Sequence, residues 1–180
     1  MNVVQPIRDR AKVNEIRDYL RAKNRRDWML FVAGINSGLR ISDLLNLRVE
    51  DVQDEDLVIT EKKTGKRIPK RINPKLQKYF SGYTSGMAEG TYLFCSREGH
   101  NRPISRARAY QILSEAARKH GLKRIGTHTL RKTFGYHFYQ KTKDTALLQQ
   151  IFGHADQSIT LRYIGINQDM MDKAMQGFSI

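Results

Sequence analysis

The sequence predicts a mainly α fold with one small antiparallel β-sheet, an α+β arrangement. Three observations carry this. Apolar residues recur at three- and four-residue spacing through most of the chain. Ser, Thr, Asp or Asn stands before most of those runs, where helices start. Strand-like runs are confined to two short stretches around a turn at Thr64-Gly65-Lys66.

Taken in order, Val13, Ile16 and Leu20 place a first helix over residues 8–23, with Arg and Lys on its other face. Arg25-Arg26-Asp27 is expected to break it, and Asp27 to cap the next helix. That second helix, 28–37, is apolar nearly all round (Trp28, Met29, Leu30, Phe31, Val32, Ala33, Ile35) and is expected to be buried. Gly38 permits a turn, after which 41–47 resume helical spacing. Residues 48–52 read as a short strand or extended link. Residues 56–60 and 67–72 read as two antiparallel strands, with Gly65 able to take positive φ between them. Asn73-Pro74 opens a helix to about residue 80, and 81–90 read as a Gly- and Ser-rich loop.

The second half is helical. Ser105 is expected to cap a helix ending near residue 119, with Tyr110, Ile112, Leu113 and Ala116 inward and Gly121 closing it. Thr127 is placed to cap a helix over 128–140. Asp144 is placed to cap a short one carrying Ala146, Leu147, Leu148, Ile151 and Phe152. Asp156 precedes a short helix with Tyr163. A last segment, 168–175, sets Met170, Met171 and Met175 at helical spacing, either a packing stripe or a partner-binding face.

Composition narrows the partners. The chain of 180 residues is long enough to bury a core, and no apolar run approaches the length of a membrane span. Residues 1–6 lack the pattern of a secretory signal. Cys95, the one cysteine, excludes an internal disulfide and fits a reducing cytoplasm; within Tyr92-Leu93-Phe94-Cys95 it is expected to be a small buried hydrophobe. Lys+Arg 32 against Asp+Glu 18 leaves a formal +14, which points to a polyanion, with nucleic acid first. The basic residues are spread along the chain and mixed with acids, unlike a disordered tail or a lipid-binding amphipathic helix, so no membrane partner is expected.

Several polar positions suit phosphate chemistry. His128 and Arg131, three residues apart at a helix start, share a face where free N–H groups and the helix dipole favour an anion. Arg40 stands among Leu39, Ile41, Leu44 and Leu45. It is therefore expected near buried surface, needing an anionic partner: Asp43, Glu50 or a bound anion. Lys63 lies at the hairpin tip beside Lys62, Lys66 and Arg67, a solvated turn or one that reaches into a DNA groove. Gly153-His154 is followed nine residues later by Tyr163.

Gly38-Leu39-Arg40, Lys63-Thr64-Gly65-Lys66, His128-Thr129-Leu130-Arg131, Gly153-His154 and Tyr163, in that order, resemble the tyrosine recombinase (phage integrase) family between about Trp28 and Tyr163. The resemblance implies that family's catalytic-domain fold. It also implies a site-specific DNA recombinase that cuts and rejoins strands through a 3′-phosphotyrosyl bond, in integration, excision or inversion. Residue by residue, it makes Arg40 and Arg131 the clamp on the scissile phosphate. Lys63 becomes the general acid toward the 5′-oxygen, and His128 the helper of proton movement at the nucleophile. His154 becomes a phosphate hydrogen-bonder and Tyr163 the nucleophile. The partner implied is double-stranded DNA, bound by a homotetramer with exchange of the tail after Tyr163 in trans, or with the tail folded back in cis. One catalytic domain is expected over 1–180, with a short helix in 1–27, the core in 28–163 and a tail in 164–180. The family's usual N-terminal DNA-clamping domain is expected to be absent. The alternatives are a type IB topoisomerase-like relaxing enzyme and a non-catalytic DNA-binding regulator.

The chemistry is sound on its own terms. A phenol of pKa about 10 is a poor nucleophile at neutral pH. Two guanidiniums and an ammonium neutralise the phosphate and lower the cost of the phenolate together. No metal and no cofactor is called for.

Overall fold

Local side-chain caps decide where most helices begin. The computed structural model describes residues 4–60 and 66–178. Asp9 caps α1 (Arg10–Lys23), accepting from the Ala11 N–H, so this helix starts two residues later than its apolar spacing suggests. The break before α2 (Arg25–Ser37) is one residue, Asn24, whose side chain accepts from the Asp27 N–H. Asp27 is therefore not the cap. Its buried carboxylate instead takes a forked ion pair from Arg26 inside the first turn. α2 is buried over much of its surface, as its composition requires.

Gly38 ends α2 at φ 65°, in the left-handed region, and a Cβ there would also stand 2.5 Å from Phe134. α3 (Ile41–Leu45) follows at once. Residues 48–52 are neither strand nor extended link. Val49–Asp51 form a 3₁₀ turn, because the Asp51 carboxylate reaches back to the Arg48 N–H. The strands β1 (Asp56–Thr60) and β2 (Arg67–Arg71) pair antiparallel in the register Leu57↔Lys70 and Ile59↔Ile68. The tip between them, with Lys62, Lys63, Thr64 and Gly65, lies outside the described residues.

α4 (Pro74–Thr84), capped by Asn73, runs four residues beyond the expected end, because Phe80 and Tyr83 are buried and hold the last turn against the core. Tyr83 Oη donates to the Leu93 carbonyl. Burial pushes that phenol up to about 12. Cys95 is only half-buried, with Sγ near the Tyr92 carbonyl, rather than a core hydrophobe. Ser105 caps α5 (Arg106–Lys119) as expected, but Tyr110 is exposed; Ala109, Ile112, Leu113, Ala116 and Ala117 form the inner stripe.

α6 (Thr129–Thr142) ties the molecule together. Its N-cap position is His128, not Thr127. Thr129 Oγ1 accepts from the Gly126 N–H, Thr133 Oγ1 accepts from the Ile7 N–H, and His137 Nε2 meets the Ile7 carbonyl. The N-terminal segment is thereby laid along α6. Leu130 packs into the main core with α1 to α5, while Phe134 and Phe138 face a second, smaller cluster around Leu148, Phe152, Ile164 and Ile166.

That second cluster is built by α7 (Thr145–Phe152), α8 (Gln157–Ile164) and α9 (Ile166–Gln176), with Asp144 and Asp156 capping the first two. α7 and α8 approach α6 so closely at Gly135 that a Cβ there would lie 2.6 Å from Ile164 and 2.7 Å from Phe152. α9 starts packed on its own chain: Ile166 is buried and Arg8 makes an ion pair with Asp169. Its Met170, Met171 and Met175, and Phe178 beyond it, are exposed, so the methionines are not a core stripe. Among the described residues, no helix is long and apolar enough to cross a membrane.

Candidate active site

The fold brings the end of α2, the start of α3, the start of α6 and the α7–α8 connection to one place. Five of the six residues singled out in the sequence lie within it; the sixth, Lys63, is outside the described residues.

Arg131 is the anchor. It is 5% exposed, and it donates from Nη1 to the Gly38 carbonyl at 2.6 Å and from Nη2 to the Phe152 carbonyl at 2.7 Å. Both acceptors close helices, α2 and α7, so the cation sits where two helix dipoles present their negative ends. The guanidinium also lies 4.2 Å over the Phe152 ring. Burial pulls its pKa down and Arg40 adds to that, while Tyr163 and Asp43 oppose. No carboxylate bonds directly to it among the described residues, which leaves unused positive charge in a partly dry site.

Arg40 supplies more. It occupies the N-cap position of α3, is exposed, and makes no ion pair with Asp43 or Glu50, against the expectation of buried surface and a structural partner. The Glu50 carboxylate is instead taken by the Gly90 N–H. The field of Arg40 reaches Arg131, His128, His154 and Tyr163.

Tyr163 is half-buried in the last turn of α8, edge-on to the rings of Phe152, His154 and His128. Its hydroxyl is 3.2 Å from His128 Nδ1. Burial raises its pKa, and Arg131 and Arg40 pull the other way. The phenol therefore rests protonated at neutral pH. His128 stands at the exposed rim, its pKa lowered by burial of the ring and by Lys132, Arg106, Arg131 and Arg40. A neutral imidazole with its proton on Nε2 accepts from the Tyr163 hydroxyl, so the nearest proton acceptor is already in place.

His154 Nδ1 is 2.9 Å from Thr160 Oγ1, and Thr160 is fully buried on α8. The Thr160 hydroxyl also lies 3.4 Å from the Asp156 carbonyl, and in the tautomer where it donates to Nδ1 instead, Nε2 of His154 carries the proton and can donate to an oxyanion. Burial, then Arg131 and Arg40, lower its pKa.

Three contributors, Thr160, Lys132 and Lys70, are absent from the sequence reading, and Asp43 entered it only as a partner for Arg40. Thr160 fixes the His154 ring, and Lys132 places its ammonium 5.0 Å over the Tyr163 ring. Asp43 provides a carboxylate near Arg131 and Lys70. Lys70 comes from β2, and the legible signal was that it falls on the same strand face as Ile68, opposite Leu57. Among the described residues no group of three or more His, Cys, Asp or Glu is placed to hold a metal ion.

Comparison with known proteins bears on the family and the fold. The model of the Phage integrase family matches residues 9–170. The "Probable integrase/recombinase YoeC" of Bacillus subtilis is 54% identical over 99% of the chain and 98% of its own length. The tyrosine recombinase XerA of Pyrococcus furiosus is 30% identical over 84% of the chain, which spans 54% of that protein. The fold is similar to that of the XerH recombinase in its post-cleavage complex with palindromic difH substrate, with a TM-score of 0.72 and 18% identity. That match covers 97% of this chain and 53% of XerH.

Proposed function

The chain belongs to the phage integrase family as a tyrosine recombinase catalytic domain, and on that premise we propose that it cleaves and rejoins duplex DNA at specific sites through Tyr163, in integration, excision or inversion. The observation that carries this is the convergence of the Tyr163 hydroxyl, a neutral His128 and the buried Arg131 on one basic surface. Arg131 and Arg40 bind the scissile phosphate and His154 donates a further hydrogen bond to it. Tyr163 attacks phosphorus as His128 takes its proton, a 3′-phosphotyrosyl bond forms, and the 5′-oxygen leaves with a proton from Lys63. Rejoining reverses these steps with a new 5′-hydroxyl. The phosphodiester energy is kept in the tyrosyl ester, so the exchange needs no nucleotide triphosphate. Residues 1–180 act as one catalytic unit, and the homotetramer on DNA is formed with the exposed Met170, Met171 and Met175 face of α9 meeting a neighbouring copy.

Covalent trapping tests the reading. With a nicked suicide duplex built from the DNA flanking its gene, a protein–DNA adduct is expected on a denaturing gel. The Tyr163→Phe variant is expected to bind the duplex and give no adduct. An adduct that survives Tyr163→Phe would place the nucleophile elsewhere.

The pH dependence gives a second check. His128 works as the free base, and its pKa lies below the ordinary 6.5. The adduct rate is therefore expected to hold as pH falls to 6.5 and to drop only below it, with that limb lost in His128→Asn. A limb centred above 6.5 in the wild-type protein would exclude His128 as the proton acceptor.

A further inference from the structure

Lys70 sits where a lysine is out of place. The register pairs it with Leu57, which is fully buried, and it is the one residue of β2 that is not exposed, on the same hairpin face as the half-buried Ile59 and the exposed Ile68. It is half-buried and makes no hydrogen bond or ion pair among the described residues. The charged groups that face it are Arg40 and Asp43 from α3 and Arg131 from α6; Leu57 meets it from β1. Three cations thus surround a single carboxylate. Arg40 is exposed, but Lys70 is half-buried and Arg131 buried, and positive charge withdrawn from water in this way is costly unless an anion completes it.

We propose that Lys70 is a phosphate-binding residue of this site, its ammonium contacting the DNA phosphate that Arg40 and Arg131 hold. This rests on the recombinase reading above and adds to it a group on a strand interior, distinct from Lys63. Burial, with Arg131 and Arg40, lowers the Lys70 pKa to about 8, and Asp43 opposes weakly. The lysine is therefore partly neutral in mildly alkaline solution, and a bound phosphate restores its proton. Phosphate binding takes up a proton above pH 8, so affinity falls as pH rises through that range.

The test is equilibrium binding of a short fluorescent duplex over a series of salt concentrations, on either side of pH 8, for the wild type, Lys70→Met and Lys70→Arg. Below pH 8 the Lys70→Met variant is expected to lose about one from the slope of log affinity against log salt, one phosphate contact's worth. Above it the wild-type slope is expected to fall toward that of Lys70→Met, while Lys70→Arg stays steep and flat with pH. Lys70→Met removes a desolvated charge and is expected to melt no lower than wild type, which separates lost contact from lost fold. A Lys70→Met variant with the wild-type slope and the wild-type pH dependence would overturn the proposal. Binding is read without cleavage, so a missing Tyr163 adduct would sink the recombinase reading while the slope still decided Lys70.

Discussion

Arg131→Met is expected to abolish the covalent adduct and to destabilise the protein, whereas Arg40→Met abolishes only the adduct. The two arginines have the same proposed task on the phosphate but different anchoring. Removing Arg131 leaves the buried Gly38 and Phe152 carbonyls without their donors. Stranding two buried acceptors costs on the order of 2–4 kcal/mol. It also frees the ends of α2 and α7 from each other, so the α7–α8 connection loses its reference point. Arg131→Lys does not repair this, because a compact ammonium lacks the planar fork that spans two carbonyls. The Arg40 side chain is exposed and makes no hydrogen bond or ion pair among the described residues, so its loss is expected to change stability by less than about 0.5 kcal/mol. Each substitution removes a preorganised donor at the reacting phosphate, worth about 10²–10³ in rate. Denaturant unfolding beside the adduct assay checks both. Equal destabilisation by the two substitutions would contradict the assigned anchoring of Arg131.

Gly135→Ala, which adds no charge and removes none, is expected to impair the site nearly as much. The new methyl would meet Ile164 at 2.6 Å and Phe152 at 2.7 Å, and neither has room to retreat because both are buried in the small cluster. Overpacking of this kind costs about 1–3 kcal/mol, with about 2–4 °C of melting temperature per kcal/mol in a chain of this size. The strain falls on α7 and α8, which carry the Phe152 carbonyl and Tyr163. A shift there pulls the Tyr163 hydroxyl from His128 and slackens the grip on Arg131. The double variant with Ile164→Ala is expected to be less destabilised than the two single costs added, by a double-mutant cycle of unfolding free energies. Simple additivity would mean that the contact is not tight.

What could be read in the sequence is what depends on near neighbours along the chain. The caps Ser105, Asp144 and Asp156 each bond to an N–H two or three residues ahead. Where two local solutions compete, the nearer competitor decided. Asn24 took the cap that Asp27 promised, and Asp51 curled 48–52, expected as a short strand or extended link, into a turn. Likewise 81–84 read as loop by composition but are held helical by the burial of Phe80 and Tyr83.

The sequence by itself determined the family and the order Arg40, His128, Arg131, His154, Tyr163, because side-chain chemistry in a fixed sequence order is written in the chain. Only the tertiary structure decided which of those groups are structural as well as chemical. Arg131 finds its acceptors 93 and 21 residues away, and His154 is oriented by a threonine from the next helix. Lys70 joins the cluster through a cross-strand register and the approach of α3 and α6. The two Arg131 contacts, between residues so far apart, have no signature in spacing; they exist only once α6 has brought the two cores together.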